Sequence, residues 1–457
     1  IKMIKQNLGL NQLLDLSDKA LQNKDYVTAK KLLEKVILIN KDIPEVYYNL
    51  GIICLNSKNV KDSINYFDQA VKLKPKFSMA YCNLGLAYNK IGQFEKASEN
   101  YLKAIESDKK NIIAYFNIGN LFKFKGDLDK AEQNFNKAID LDSNMIMAYN
   151  NLFEIFDRSN QFKKLENILN KAKQKFKDHP LVNFFVGIYE YKKKNYNEVI
   201  KVYEKIILDK NDIGRLTVRN ELLAKSYDHI GNYDKAYESF QSANNQINSF
   251  FKKKCNKENY INFINKRIEY FIPKNIKNWV IEKKDKEKSP IFLIGFPRSG
   301  TTLLDTILRS HPKVEVLEEK PVVDIFIRSL EKAINNNLNN LGKIDSSLIE
   351  KLRQIYFDNR NKYINFDPDK IYIDKMPLNL IHVGEIVRIF PNAKFIFAIR
   401  NPYDVILSCF MQQFSPNDAM ANLTNFDDAT NLYDLVMNLW LKYNETLSVN
   451  VQIIKYE

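Results

Sequence analysis

The apolar positions of this chain follow two rhythms, and the change falls near residue 290. In the N-terminal half a helical period is nested in a longer repeat. Gly51, Gly85 and Gly119 stand 34 residues apart and close similar runs: Tyr48-Asn49-Leu50-Gly51, Cys82-Asn83-Leu84-Gly85 and Phe116-Asn117-Ile118-Gly119. Later in each unit a small residue, an aromatic and an alanine recur: Ser63, Phe67, Ala70; Ala97, Tyr101, Ala104; Ala131, Phe135, Ala138. This period predicts a helix pair per unit, stacked on its neighbours because one pair cannot bury its apolar face alone. The small residues are expected to bring paired helices close, and the aromatics to fill grooves between neighbouring pairs. Weaker copies begin near Leu13, with Ala29 and Leu33, and run through 149–172 and 187–206. A last copy holds Tyr227, Gly231, Ala236, Phe240 and Ala243, giving about seven units over residues 10–245.

From residue 291 the rhythm becomes short apolar runs between helical stretches. Residues 291–294, 314–317, 371–373, 395–399 and 451–454 read as strands, and 380–389 and 429–447 as helices. This alternation predicts a parallel sheet with helices on both faces and ligands beyond the carboxyl ends of its strands. Between the halves, charge runs at 252–254 and 282–288 flank a helical apolar period over 260–271. They read as a connecting helix and a solvated linker ending at Ser289-Pro290. The domain reading is a helical solenoid over 1–245, a connector over 246–289 and an α/β domain over 290–457.

Composition changes this picture little. The formal charge of +14 comes mostly from lysine scattered over the helices, without a basic-aromatic patch, so no nucleic-acid partner is expected. Arginine is more informative: the first is Arg158, and most lie in the C-terminal half, where planar phosphate recognition would use them. Cys54, Cys82, Cys255 and Cys409 are far apart and form no CxxC pair, which argues against zinc and redox motifs and for reduced thiols in a cytoplasmic protein. Residues 1–6 lack the apolar core of a signal peptide, and no apolar run reaches membrane-spanning length.

The strongest chemical signal is Gly295-Phe296-Pro297-Arg298-Ser299-Gly300-Thr301-Thr302, between the first strand and a helix. A strand, a glycine-bounded turn and a helix start form an anion cradle, with N–H groups and the helix dipole facing the ligand. The spacing is that of a P-loop, but Thr301 stands where a nucleotide-binding loop has lysine, and the cation comes earlier, at Arg298. The second signal is a strand ending in Arg400, followed by Pro402 at a helix start and Ser408 about two turns on. Arg400 can fork onto a phosphate and Ser408 can donate a hydroxyl; the bland alternative pairs Arg400 with Asp404.

The 34-residue period resembles the tetratricopeptide repeat. Together the two signals resemble the 3′-phosphoadenylyl sulfate (PAPS)-dependent sulfotransferases, and the whole chain resembles bacterial tetratricopeptide-repeat sulfotransferases, whose catalytic domain is similar to tyrosylprotein sulfotransferases. The fold class implied is an N-terminal all-α tetratricopeptide solenoid with a C-terminal α/β, P-loop-like parallel-sheet sulfotransferase domain. The resemblance implies that Arg298, Ser299, Gly300, Thr301 and Thr302 hold the 5′-phosphate and sulfuryl oxygens, and that Arg400 and Ser408 hold the 3′-phosphate. The donor would be PAPS, the product 3′,5′-ADP, and no metal is expected. Leu317-Glu318-Glu319-Lys320 matches a Glu-Glu pair whose second member, here Glu319, would be the base; adjacent carboxylates in a cleft are expected to raise one another's pKa. Lys375, in Asp374-Lys375-Met376-Pro377, would neutralise charge on the bridging oxygen, and its bland reading is a surface lysine. His311, in Ser310-His311-Pro312, reads as a helix stop, His382 as a packed residue and Trp440 as core.

Members of that family continue past the position matching Tyr456-Glu457, so the domain reads as truncated. The repeat half would recruit an acceptor, protein, peptide or glycan, through its groove; scaffolding and self-association into a homo-oligomer are its other readings. The rivals for the chain as a whole are a P-loop kinase or NTPase, and a repeat scaffold with a vestigial enzyme domain.

Overall fold

The computed structural model describes residues 9–277, 279 and 289–457. The N-terminal run at 1–6 and the charge run at 282–288 lie outside the described residues. Contacts divide the chain into two units, Ile1–Ile207 and Leu208–Glu457.

The first unit holds six helix pairs among its described residues: α1 (Leu10–Gln22) with α2 (Tyr26–Ile39), α3 (Pro44–Asn56) with α4 (Val60–Leu73), α5 (Ser78–Lys90) with α6 (Phe94–Ser107), α7 (Ile112–Lys125) with α8 (Leu128–Leu141), α9 (Ile146–Arg158) with α10 (Phe162–Lys175), and α11 (Pro180–Lys192) with α12 (Tyr196–Lys205). The repeated glycine and aromatic meet within a pair, and the aromatic also faces the next pair as expected: Tyr101 shares one buried cluster with Ala114, Ile118 and Leu121 of α7. A Cβ at Gly51 would stand 2.5 Å from the Phe67 ring, one at Gly85 2.8 Å from Tyr101 and one at Gly119 2.8 Å from Phe135. The glycine is the socket that lets the second helix lay its ring on the first. In α9 and α10 the sizes are exchanged, with Phe153 at the glycine position and Leu169 at the aromatic one, both buried. The turn inside each pair places one left-handed residue at the same 34-residue interval: Lys24, Lys58, Gly92, Gly126, Asn160 and Lys194.

The second unit begins with α13 (Ile213–His229) and α14 (Tyr233–Lys254), a seventh pair in which Ala224 and Phe240 are buried in one cluster with Phe410. By sequence this pair belongs with the repeats; by contact it belongs with the sheet. Asn244, 2% exposed, donates through Nδ2 to the Phe410 carbonyl at 2.9 Å, and Tyr237 stacks on Phe410 and Phe426. Next comes α15 (Lys257–Tyr270), from the stretch read as a connecting helix. It packs into the core: Ile264 and the following Phe271 are fully buried. Its Arg267 meets Glu385 at 2.5 Å with both side chains at most 3% exposed.

Five strands follow: β1 (Ile291–Gly295), β2 (Val314–Glu318), β3 (Ile371–Lys375), β4 (Lys394–Ile399) and β5 (Asn450–Lys455). They form one parallel sheet in the order β2-β3-β1-β4-β5. Because successive strand residues face opposite sides, Phe292, Ile294, Phe395 and Phe397 enter the large core while Leu293, Val316, Ile373 and Ala398 form a smaller one. Helix α17 (Thr301–Arg309) covers that smaller face through Leu304 and Leu308. After the short helix α16 (Pro273–Ile276), the remaining helices of this unit are α18 (Val322–Ala333), α19 (Ser346–Arg360), α20 (Val383–Ile389), α21 (Pro402–Phe410) and α22 (Phe426–Thr446). Trp440, 4% exposed, packs on Phe397 in the large core, and His382 is buried beside Glu385 and Phe263. All five strands point their carboxyl ends to one edge.

Candidate active site

That edge gathers the candidate residues because each sits just after a strand. Behind β1 the chain turns through Phe296-Pro297 into Arg298, whose φ is 69°, and Gly300, whose φ is 92°. Arginine in left-handed backbone is strained by about 1–3 kcal/mol, a cost seen mostly where a site requires it. The turn is closed by Ser299 N–H donating to the Phe296 carbonyl at 3.1 Å, and α17 starts at Thr301. The N–H groups at a helix start have no intrahelical acceptor and face the loop. A side chain at Gly300 would collide with Tyr456, whose ring lies 2.2 Å from the Cβ position.

Arg298 and Ser408 come together: the arginine Nε donates to the serine Oγ at 3.0 Å. The two sequence signals are thus joined by a direct bond. Ser408 rides on α21, capped by Asn401, which accepts from Tyr403 N–H at 2.9 Å. The next residue, Cys409, fixes this helix to the loop by donating to the Pro297 carbonyl at 3.5 Å; burial pushes its thiol up to about 12, so it stays neutral. Arg400 goes elsewhere. Its guanidinium lies 3.6 Å from Asp404 and 4.8 Å from the centre of the Tyr456 ring, and its Nε is buried without a hydrogen-bond partner. Ser299 Oγ is also buried and unpartnered.

The second group centres on Lys375. Its side chain is fully buried, which removes the surface-lysine reading. Its Nζ lies 2.7 Å from Glu319 Oε1, 3.4 Å from Thr302 Oγ1 and 3.5 Å from Glu318 Oε1. The lysine absent from the loop sequence is therefore replaced by one brought to the loop from the neighbouring strand. Both glutamates reach one lysine because Glu319 is left-handed, with φ 50°, and its N–H is tied to the Lys375 carbonyl at 2.8 Å. Glu319 is the more exposed partner, at 55% of its side chain. The mutual raising expected of the glutamate pair does not describe Glu318. Burial would raise its carboxyl, but the Lys375 charge and the Arg309 hydrogen bond outweigh that and hold it below its ordinary value.

The sequence reading missed three residues here. Arg309 is forked onto buried Asp305 at 2.7 and 2.6 Å and also reaches Glu318 Oε2 at 3.2 Å; the i, i+4 spacing of the pair was its only sequence signal. Tyr456 is delivered by β5, whose pairing with β4 sets its end beside Arg400. Asp374, beside Lys375, is raised by burial to about 7 and accepts from the Tyr356 hydroxyl at 3.2 Å. His311 is not brought to this group: it follows the far end of α17, where its Nδ1 accepts from Lys313 N–H. Among the described residues no three His, Cys, Asp or Glu side chains converge as a metal site, and no helix is long and apolar enough to cross a membrane.

Residues 290–457 match the sulfotransferase family, and residues 44–77, 66–97, 87–126 and 112–145 match tetratricopeptide repeats. Over 205 residues, 42% of this chain, it is 32% identical to an uncharacterized protein of Aquifex aeolicus (strain VF5), covering 26% of that protein. Over 123 residues, 25% of this chain, it is 30% identical to protein-tyrosine sulfotransferase 1 of Mus musculus, covering 32% of that protein. The chain thus spans about a quarter to a third of the length of these curated relatives. Among solved structures, the C-terminal part of a TPR repeat-containing protein from Cytophaga hutchinsonii aligns over 50% of this chain and 93% of its own, with 17% identity and a TM-score of 0.44. The C-terminal region thus carries a sulfotransferase-family domain and the N-terminal region carries tetratricopeptide repeats.

Proposed function

We propose that the C-terminal unit transfers a sulfuryl group from 3′-phosphoadenylyl sulfate to an acceptor hydroxyl, releasing 3′,5′-ADP, and that the repeat array recruits the acceptor. The observation that carries this reading is the meeting of two groups at one sheet edge. The loop joined to Ser408 by Arg298 supplies donors for an anionic ligand, and Lys375, shared by Thr302 and Glu319, links that loop to a base. The unpartnered Nε of Arg400 and the buried, unpartnered Oγ of Ser299 in the loop fit a ligand with separate anionic groups.

The donor, when bound, supplies a sulfuryl group on a phosphate leaving group. Helix-start N–H groups of α17 and the Arg298 guanidinium stabilise negative charge on the phosphate oxygens. Glu319, half exposed and paired with Lys375, takes the acceptor proton. As that proton arrives, Lys375 is released to face charge on the oxygen between phosphorus and sulfur. The new acceptor O–S bond forms as the old S–O bond breaks, and its electron pair leaves with 3′,5′-ADP. The acceptor class proposed is a protein tyrosine, with a carbohydrate or small-molecule hydroxyl as the competing class.

Titration calorimetry of the full chain with 3′,5′-ADP and with ATP–Mg tests the donor. Tighter binding of 3′,5′-ADP is expected, and preference for ATP–Mg would replace this reading with a P-loop kinase or NTPase. Labelled donor incubated with fractionated extract assigns the acceptor to protein, glycan or small-molecule fractions.

A further inference from the structure

Glu318 and Glu319 both face one buried ammonium group, and a single lysine cannot neutralise two carboxylates. The geometry provides a second cation. Arg309 Nη2 lies 3.2 Å from Glu318 Oε2, on the oxygen that Lys375 does not use, while Lys375 lies 3.5 Å from Oε1. Arg309 cannot swing away freely. Asp305, 1% exposed and one turn earlier on α17, grips its Nε and Nη2 in a two-point fork. The charged groups around Glu318 are Arg309 and Asp305 from α17, Lys375 from β3 and Glu319 beside it in the chain. With Glu318 itself they carry two positive and three negative charges, so proton uptake by one carboxylate balances the cluster.

We propose that Arg309, locked by Asp305, is a positioning residue that keeps Glu318 as the standing counter-ion of Lys375 while Glu319 accepts the acceptor's proton. This rests on the sulfuryl-transfer reading above. When Glu319 gains a proton it ceases to be an ion-pair partner. A buried lysine left without a carboxylate would tend to lose its own proton. Glu318 supplies the replacement charge from 3.5 Å, and Arg309 prevents it from taking the lysine early, when Glu319 still needs it for orientation. Glu318 is thus a holder and Glu319 the base, two adjacent carboxylates given separate work by a cation on the next helix.

The test compares the full chain with Arg309→Ala, Arg309→Lys and Asp305→Asn. Label transfer from sulfur-labelled 3′-phosphoadenylyl sulfate is followed in a fractionated extract across pH, with 3′,5′-ADP affinity measured in parallel. Arg309→Ala is expected to lower the rate of label transfer by up to about 100-fold and move the acid limb of the pH profile upward. The affinity for 3′,5′-ADP should change less than about twofold, since the direct phosphate donors are untouched. Arg309→Lys should recover part of the rate, and Asp305→Asn should fall between. Carbon NMR of labelled glutamate should show Glu318, assigned by Glu318→Gln, titrating higher in Arg309→Ala. An active Arg309→Ala with an unmoved profile overturns the inference alone, as does loss of 3′,5′-ADP binding with no movement of Glu318. A wild-type chain that neither binds 3′,5′-ADP nor transfers label overturns the underlying reading, and the inference with it.

Discussion

In the repeat unit the buried polar residues are serine and asparagine: Ser17, Ser63, Ser78, Asn100, Asn150 and Asn151. In the sheet unit they include Arg267, Asp305, Asp374, Lys375, Glu385 and Arg388. Backbone strain divides the same way. The left-handed lysines of the repeat unit occupy inter-helix turns, whereas Arg298 and Glu319 sit at the carboxyl edge of the sheet. The interior of the repeat unit uses neutral contacts between residues about 16 apart in sequence, such as Gly51 with Phe67 and Gly187 with Tyr203, and its ion pairs, such as Lys74 with Glu45, stay at the surface or half-buried. Such an interior can be copied and extended without consulting the rest of the chain. The sheet unit has placed ions where water hardly reaches them, and most, such as Arg267 with Glu385 and Arg388 with the Leu341 carbonyl, require a partner from a distant element. Buried charge is weak evidence for stability, so the part of it that lies at the carboxyl edge, Lys375 and Asp374 with Asp305 of α17, is where chemistry is proposed.

Four experiments test this contrast. The largest effect is expected from Glu385→Ala, which removes the buried counter-ion of Arg267 and leaves it the partly exposed Glu331 at 3.3 Å; urea unfolding should show a loss of about 3–5 kcal/mol. Replacing both, as Arg267→Met with Glu385→Leu, should restore most of it. A loss no greater than that of Ser63→Ala in the repeat unit would erase the distinction.

Second is the pH dependence of Asp374. Its folded pKa is raised to about 7, so its contribution is full below the unfolded value and disappears as pH rises through 7. Wild type should therefore lose stability relative to Asp374→Asn between about pH 4 and 7, by on the order of 2–4 kcal/mol, with no further change above. A stability difference independent of pH would contradict the buried-acid assignment. Third, Gly187→Val should push the Tyr203 ring out of its socket, at a cost of about 1–3 kcal/mol in thermal or urea unfolding. Neutral behaviour would show that the repeats tolerate looser packing than the sheet. The smallest effect is expected from Lys58→Gly at its left-handed turn, a gain of about 0.5–1 kcal/mol read as a raised Tm. A loss would mean that the lysine side chain has work beyond the turn.

The repeat period, all five strands, the glycine-bounded turn after β1 and the helix carrying Ser408 were legible in the sequence because each depends on neighbours a few residues away. The glycine period was visible, but its physical purpose was not: the ring it accommodates belongs to the same pair. The 34-residue recurrence of left-handed turns was hidden because Lys24, Lys58 and Lys194 occupy positions where glycine would have advertised them. The stretch read as a connecting helix showed its apolar period, and only the fold revealed that Ile264 and Phe271 are core and that Arg267 has a buried partner.

By itself the sequence determined the two architectures, the glycine-bounded turn after β1 and most of the residues gathered beside it. Tertiary structure alone decided which of them meet. Arg298 reaches Ser408 rather than standing apart from it, Arg400 turns to Asp404 and Tyr456, and Lys375 is shared among Thr302, Glu318 and Glu319. The reason is range. Helix period and turn chemistry act over a few residues, but the pairing of charges is set by parallel strand order and register, which place β2 beside β3 and β3 beside β1 across long stretches of chain.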